Sequence, residues 1–308
     1  MATIEFTFLG TGTAVPTLRR NHPGVHLLHQ SKTAHSMLFD CGEGAQIQLQ
    51  KAKINFMSID NIFISHWHAD HFLGMFGLLM SMSFEKREKE LLIAGPEADK
   101  IGPQLLKLFN FSFKINFVDS SKKGIVFEDE EIIVESMPVK HTIPAVAYRF
   151  KEKDKIKLDK KIIKKLKLTG QECKELKEKF RIKKDKTLVR KDGASFSKKM
   201  NELIKLKDVS YAIEGKKFVY SGDTIYLKKM ENFCKDCILV HECTYFDRKD
   251  IKHKQHSCLQ DVLKFRKSAE KIYLTHIGRK YLSQTELEKK VRKYKNVFVA
   301  KDLKKVKF

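Results

Sequence analysis

The segment from Ile62 to His71 constrains the rest of this chain more than any other. A short apolar run, Ile-Phe-Ile-Ser, is followed at once by four side chains that can bind a metal ion. The run is too short for a helix and predicts a buried strand. His66 and His68 then point to the same side, because side chains alternate along a strand. With Asp70 and His71 they make four ligands in six positions, which can hardly all bind one tetrahedral ion, so the spacing indicates two adjacent metal ions.

The composition describes a globular protein that could be an enzyme. The chain has 308 residues, of which 42% are hydrophobic, enough for a sizeable core. No apolar run is long enough to cross a bilayer. The N-terminus lacks the features of a signal peptide, so we expect a cytoplasmic protein with free thiols at its six cysteines. The spacing of Cys234 and Cys237 fits a redox or zinc motif, but small core residues are the favoured interpretation.

The charge indicates a polyanionic partner. The chain carries 61 Lys and Arg against 38 Asp and Glu, a net charge of +23, and nucleic acid is the commonest partner of so basic a protein. Between Lys151 and Lys191 there are 18 Lys and Arg against 7 Asp and Glu, a net charge of +11. Apolar residues recur there at helical spacing and predict two short helices on an anion-binding arm, with a solvated helical hairpin as the alternative: Ile162, Ile163, Leu166, Cys173, Leu176 and Phe180.

Metal-competent side chains also follow several other strand-like runs. A single histidine at a strand end is usually a hydrogen-bonded structural residue, but here the pattern recurs. Polar residues at the ends of separate strands assemble on one rim of an α/β scaffold, where such proteins place their sites. The residues that follow these runs are Asp40, His66, His141, Asp223, Glu242 and His276.

These motifs, in this order, resemble the metallo-β-lactamase superfamily and, within it, the ribonuclease Z family of tRNA 3′-processing endonucleases. His-x-His-x-Asp-His alone indicates only the superfamily. The N-terminal motifs, Asp-Cys-Gly-Glu and the basic arm indicate the narrower family. The matching segments are Phe8–Gly12, Pro16 with Arg20 and Asn21, Phe39–Gly44, His66–His71, His141, Gly222–Thr224, His241–Glu242, His256–Ser257 and His276–Ile277.

The resemblance implies an α/β protein with a four-layer αβ/βα sandwich and an inserted basic helical arm. Residues 1–150 and 198–308 would form the catalytic domain, and residues 151–197 the lysine-rich arm that binds tRNA. Two zinc ions per subunit are implied, although other divalent ions suit the same ligands. One ion would bind His66, His68 and His141, and the other Asp70, His71 and His276, with Asp223 bridging the two.

The resemblance also implies the remaining roles at the site. Asp70 would accept a proton as well as bind metal, and His256, oriented by Glu242, would protonate the 3′-oxygen leaving group. Asp40 would orient a ligand histidine. Arg20, Arg279 and Lys280 would contact the substrate, precursor tRNA, and the protein would be a homodimer.

Two other functions are compatible with the sequence. One is a phosphodiesterase of the same superfamily that acts on small phosphodiesters; it would share the metal ligands but would not need a basic arm. The other is a non-catalytic RNA-binding protein, which could keep the charge but would have no reason to keep seven metal ligands. Cleavage of precursor tRNA that depends on the metal ligands would distinguish the three.

Overall fold

The computed structural model describes residues 2–165 and 210–308, and between them only positions 170, 174, 180–182, 188–190, 196–197 and 203–204. The chain divides into two compact units. The first combines Met1–Lys151 with Lys217–Phe308, and the second is Glu152–Lys216.

The first unit contains two seven-stranded mixed sheets. The first sheet is antiparallel from β20 to β3 and parallel from β3 to β6. Its strands, in spatial order, are β20 (Lys305–Lys307), β1 (Thr3–Gly10), β2 (Gly24–Gln30), β3 (Ala34–Phe39), β4 (Asn61–Phe63), β5 (Leu91–Gly95) and β6 (Ile115–Asp119).

The second sheet has four parallel strands at one side, which pair with antiparallel strands at the other. In spatial order its strands are β19 (Val297–Val299), β18 (Lys271–Thr275), β17 (Ile238–Glu242), β16 (Lys217–Tyr220), β9 (Ala145–Glu152), β8 (Ile132–Val139) and β7 (Gly124–Glu128).

The alternation of apolar residues along these strands packs the two sheets face to face. Phe6 on β1 lies 5.2 Å, between ring centroids, from Phe218 on β16, and Phe63 on β4 lies 5.3 Å from Tyr148 on β9. These four side chains are at most 2% exposed. They belong to one apolar core between the sheets, which contributes the largest favourable term to folding.

Helices cover the outer face of each sheet and complete four layers. Leu38 on the first sheet packs in one cluster with Leu49 and Leu78, and Leu239 on the second packs in another with Met230 and Leu287. The helices of this unit are α1 (Ala45–Lys51), α2 (Ala69–Phe72), α3 (Gly74–Phe84), α4 (Ala98–Leu105), α6 (Lys229–Phe233), α7 (Leu259–Val262) and α8 (Gln284–Val291), with 3-10 turns at Phe56–Ser58, Leu106–Leu108, Arg248–Asp250 and Leu263–Lys267.

The second unit contains strand pairs as well as helix. Its elements are β10 (Lys155–Leu158), α5 (Lys160–Lys165), β11 (Phe180–Ile182), β12 (Leu188–Arg190), β13 (Phe196–Ser197), β14 (Leu203–Ile204) and β15 (Ser210–Ile213). The first predicted helix of the arm coincides in part with α5. The second predicted helix was wrong at its C-terminal end, since Phe180 begins a strand that pairs with β12. Leu166, Cys173 and Leu176 lie outside the described residues.

The predicted αβ/βα sandwich is confirmed, with some differences in its elements. The helix that begins at Ala98 ends as a regular helix at Leu105 and continues as a 3-10 turn. The strand before the histidine motif ends at Phe63, earlier than expected. Among the described residues, no helix is both long and apolar enough to cross a membrane.

Candidate metal centre

The topology brings the candidate residues to one edge of the sandwich. Asp40 directly follows β3, and His276 directly follows β18, while the histidine motif follows β4 and Asp223 follows β16. The carboxyl ends of neighbouring parallel strands lie at the same edge of a sheet. Asp40 and His276 have positive φ angles of 57° and 53°. Non-glycine residues rarely adopt this conformation, and strain of this kind is concentrated at functional sites.

Three imidazoles form the first cluster. His66 Nε2 lies 3.0 Å from His68 Nδ1, which lies 3.1 Å from His141 Nε2. The nearest ligand atoms of all three lie within 4.8 Å of one another. Burial lowers the pKa of each ring. The cluster therefore presents neutral nitrogen lone pairs, the form of histidine that binds metals.

A carboxylate and two further imidazoles form the second cluster. Asp70 and His71 lie on the single helical turn α2, which follows the first histidines directly. Asp70 Oδ2 lies 3.5 Å from Nε2 of both His71 and His276. Burial would raise the pKa of Asp70, but the nearby imidazoles of His276 and His71 hold it below its ordinary value. The carboxylate is therefore ionised at neutral pH.

Asp223 lies between the two clusters. Its Oδ2 lies 3.1 Å and 3.4 Å from Nε2 of His276 and His71, and 3.9 Å and 4.0 Å from Nε2 of His66 and His141. Burial would raise the pKa of Asp223, but His276 and His71 lower it well below the usual range. One ionised carboxylate thus reaches ligands of both clusters, as a group that bridges two ions must.

The donor set fits divalent metal ions. Three buried atoms at the centre have no hydrogen-bond partner in the part of the chain that the structure describes: His71 Nε2, His276 Nε2 and Asp223 Oδ1. Buried polar atoms of this kind are costly when nothing satisfies them. A cation bound among them removes that cost.

Asp40 supports the centre without belonging to either cluster. Its carboxylate is fully buried and accepts hydrogen bonds from the backbone N–H and the hydroxyl of Ser65, at 2.6 Å and 2.8 Å. It also accepts from His71 Nδ1 at 2.6 Å and from the Tyr220 hydroxyl at 2.7 Å. The bond from Nδ1 fixes the His71 tautomer and turns Nε2 toward the centre.

The other imidazoles are held through the nitrogen that faces away from the centre. Nδ1 of His66 lies 2.9 Å from the Ser65 hydroxyl, and Nδ1 of His276 lies 3.0 Å from the Thr244 hydroxyl. Nδ1 of His141 donates to the Gln255 carbonyl at 3.3 Å. These contacts orient the rings before any metal binds, which reduces the cost of binding.

His256 and Glu242 form a pair beside the centre. His256 Nδ1 lies 3.1 Å from Glu242 Oε1, and its ring stacks on that of His276 with centroids 5.5 Å apart. Burial opposes protonation of His256, but the hydrogen bond and charge of Glu242 raise its pKa to about 9. Ser257 N also donates to Glu242, at 3.0 Å, and holds the carboxylate in place. His253, the nearest other histidine in the sequence, is exposed.

The sequence aligns over nearly its whole length with proteins named Ribonuclease Z. The protein from Methanococcus maripaludis strain S2 is 35% identical over 97% of this chain and 98% of its own length. The protein from Methanocaldococcus jannaschii is 36% identical over 91% of this chain and 88% of its own. The chain belongs to the ribonuclease Z family. A family model described as Anti-Pycsar protein Apyc1 also matches residues 4–107 of this ribonuclease Z family member.

Solved structures agree on the fold of this ribonuclease Z family member. Human tRNase Z, short form, has a TM-score of 0.63 with 24% identity, and each chain covers 98% of the other. The metallo-β-lactamase fold protein YhfI from Bacillus subtilis has a TM-score of 0.66 with 17% identity, covering 99% of this chain and all of its own. At these identities the likeness establishes the metallo-β-lactamase fold alone.

Two of the residues predicted to contact substrate in this ribonuclease Z family member bond to other parts of the chain. Arg20 is buried, and its guanidinium donates to the Thr11 hydroxyl at 2.6 Å and to the Ala300 carbonyl at 2.9 Å. Lys280 Nζ forms an ion pair with Asp250 at 2.5 Å. The two bonds of the Arg20 guanidinium stabilise the loop that follows β1. Substrate contact by Arg20, Arg279 and Lys280 stays a prediction. Two of them, Arg20 and Arg279, line one cleft together with Gly12, Val15, Thr17, Arg19, Ile277, Tyr281 and Leu282.

Several supporting groups were not predicted from the sequence. Ser65 precedes the first histidine and could have been found by asking which neighbour holds its ring. Tyr220 could have been found as a polar side chain that ends an apolar strand run. Thr244 and the Gln255 carbonyl had no sequence signal, because their contacts depend on how separate loops meet.

Proposed function

We propose that this ribonuclease Z family member is a metal-dependent endoribonuclease that removes the 3′ trailer from precursor tRNA and leaves a 3′-hydroxyl on the tRNA. The observation that carries the proposal is the position of Asp223, whose Oδ2 lies within 4.0 Å of histidines from both ligand clusters. Two ions held side by side suit phosphodiester hydrolysis. The similar proteins named Ribonuclease Z support the choice of RNA.

Two zinc ions are the proposed cofactors. His66, His68 and His141 would hold one, Asp70, His71 and His276 the other, and Asp223 would bridge them. Imidazole and carboxylate donors suit zinc, although other divalent ions accept the same set. When bound, the ions would acidify a water molecule and offset the negative charge that develops on the phosphate.

The chain's own residues supply the proton transfers. Asp70 is ionised, because His276 and His71 hold its pKa low, and so it is able to accept a proton from the attacking water. His256 keeps Nδ1 on Glu242, which leaves Nε2 to protonate the O3′ leaving group. A positioned acid of this kind contributes about 10²- to 10⁴-fold to the rate.

The basic arm is the proposed tRNA-binding element. Residues 151–197 would form a domain inserted into the catalytic domain of residues 1–150 and 198–308, and their charge would hold phosphates without reading bases. A homodimer is part of the proposal by family similarity. We also propose a cytoplasmic location. It is supported by the free cysteines buried in the described part of the chain: Cys41, Cys234, Cys237, Cys243 and Cys258.

A cleavage assay on a 3′-extended tRNA tests the proposal. We expect the wild type to release the trailer, the His66→Ala variant to lose activity and to bind less metal, and the His256→Ala variant to lose activity but keep the wild-type metal content. The control substrate is a small aryl phosphodiester, assayed with intact protein and with a variant in which a short linker replaces residues 153–215. Hydrolysis of the small ester by both proteins, without any cleavage of precursor tRNA, would favour the small-phosphodiester function instead.

A further inference from the structure

A second group of metal-competent side chains lies at the opposite end of β3 from the metal centre. His29 on β2 and His35 on β3 are directly paired across the two antiparallel strands, and their ring centroids lie 5.6 Å apart. Their exposed fractions are 0% and 6%. The turn between β7 and β8 places two carboxylates beside them, those of Asp129 and Glu131.

Both imidazoles lie near aromatic side chains of the opposite sheet. The His29 ring lies 5.8 Å from Phe150 on β9, and the His35 ring lies 6.4 Å from Phe127 on β7. Both phenylalanines belong to the opposite sheet, so the histidines face the space between the sheets. A polar side chain in such a place is costly unless a partner satisfies it, and native proteins keep few exceptions.

Ligand atoms of three of these side chains lie close together, and Asp129 adds a carboxylate oxygen beside His35. His35 Nε2 is buried and makes no hydrogen bond within the part of the chain that the structure describes. It lies 3.3 Å from Asp129 Oδ2 and 3.9 Å from Glu131 Oε2. One ligand atom each from His29, His35 and Glu131 lies within 4.8 Å of the other two.

The two carboxylates are held in place by the loops that carry them. Glu131 accepts from the Ser31 hydroxyl at 2.5 Å and from the Thr33 backbone N–H at 3.1 Å, both in the β2–β3 hairpin. Asp129 Oδ1 accepts from the backbone N–H groups of Glu131 and Ile132 at 2.8 Å and 2.9 Å, so that Oδ2 is the oxygen nearest His35. The ligands are therefore preorganised by bonds other than those between themselves.

We propose that His29, His35, Asp129 and Glu131 form a binding site for a divalent transition-metal ion, distinct from the metal centre at the other edge of the sandwich. Two imidazoles with carboxylate oxygens are a donor set that suits zinc and its neighbours rather than magnesium or calcium. Strands β2 and β3 belong to one sheet, and β7 and β8 to the other. An ion at this site joins the two sheets, so its role is to stabilise the fold.

Metal stoichiometry of the full-length protein tests this site. The protein is stripped of metal, equilibrated by dialysis against micromolar zinc, and its zinc content is measured per chain. We expect the His35→Gln and Asp129→Asn variants each to bind one ion fewer than the wild type. The same difference of one ion should persist in a His66→Ala background, which separates this site from the catalytic centre and from the proposed function.

His26→Gln is the matched control. His26 is a buried histidine on the same strand as His29, but it lies on the opposite face and contacts Ser36, so its replacement should leave the zinc count unchanged. As a second measurement, zinc should raise the Tm of His66→Ala more than that of His66→Ala with Asp129→Asn. Asp129 lies in a turn, so this variant keeps the test open if His35→Gln fails to fold. Equal zinc counts in wild type, His35→Gln and Asp129→Asn would overturn the proposal. They would mean that His35 and Asp129 form only an ion pair.

Discussion

At the scale of single residues, the metal centre depends on side chains that need not touch metal. The His66–His71 motif identified four side chains of the two clusters, because their density is unusual and their spacing local. The recurrence of polar residues after strand-like runs identified His141 and His276. The sequence could not show that Ser65 also bonds to the buried Asp40 carboxylate, or that Thr244, on a loop after a different strand, contacts His276. Such contacts decide which imidazole nitrogen faces the centre.

Asp40 gives the sharpest test of this support. In Asp40→Asn an amide N–H₂ would meet donors from His71 and Tyr220, which now bond to Oδ2. We expect metal affinity to fall about 10- to 100-fold, as is usual when such a partner is removed. Competition against a chromogenic chelator measures the affinity. Tyr220→Phe removes a single donor and should change the affinity much less. Wild-type affinity in Asp40→Asn would contradict a supporting role for the carboxylate.

His26 predicts how stability depends on pH. Burial, with a further contribution from Lys305, lowers the pKa of His26 from 6.5 to about 4, while the unfolded chain keeps the ordinary value. Between these values the unfolded state binds more protons, so stability is full above about pH 6.5 and falls as the pH drops toward 4. The loss amounts to about 3 kcal/mol. Denaturant unfolding of wild type and His26→Gln across this range measures it, and parallel pH profiles would contradict the assignment.

At the scale of elements, the histidine motif reaches the centre because two loops pack with almost no space between them. The Cys41 N–H donates to the His71 carbonyl at 2.7 Å, and a Cβ added at Gly42 would lie 2.3 Å from the Asp70 carbonyl oxygen. The sequence predicted the strands before these loops from their apolar runs. It did not predict β2, where His26 and His29 interrupt the apolar pattern and face opposite sides of the strand.

Gly74, which begins α3, tests this close packing. A Cβ at this position would lie 2.0 Å from the Gly42 carbonyl oxygen, a backbone atom that cannot rotate away. We therefore expect Gly74→Ala to lower the free energy of unfolding by about 1–3 kcal/mol, as overpacking usually does, and to reduce the metal content. Gly124→Ala is the matched control, since a Cβ there meets nothing within 4 Å. A change of less than about 0.5 kcal/mol in both variants, as at neutral surface sites, would mean that α3 can shift freely.

At the scale of the whole molecule, the sequence predicted the catalytic unit better than the basic segment. The order of apolar strand runs and polar strand ends predicted an α/β scaffold with its site on one rim, and the family resemblance implied the sandwich. The basic segment was evident from charge alone, but its helical pattern did not exclude strands, and Phe180 begins one. Short apolar runs leave helix and strand ambiguous where no core imposes a choice.

The salt dependence of cleavage tests whether that segment holds the tRNA. Each phosphate that a lysine neutralises contributes about 0.7 to 0.9 to the slope of log affinity against log salt concentration, because counterions are released. Replacing the exposed Lys160, Lys161 and Lys164 of the arm by glutamine should therefore reduce the slope measured from KM by up to about 2. The control replaces Lys86, Lys122 and Lys123, which are equally exposed and remove the same charge from the catalytic unit. If both triple variants changed the slope equally, the net charge of the protein would attract tRNA without a specific grip by the arm.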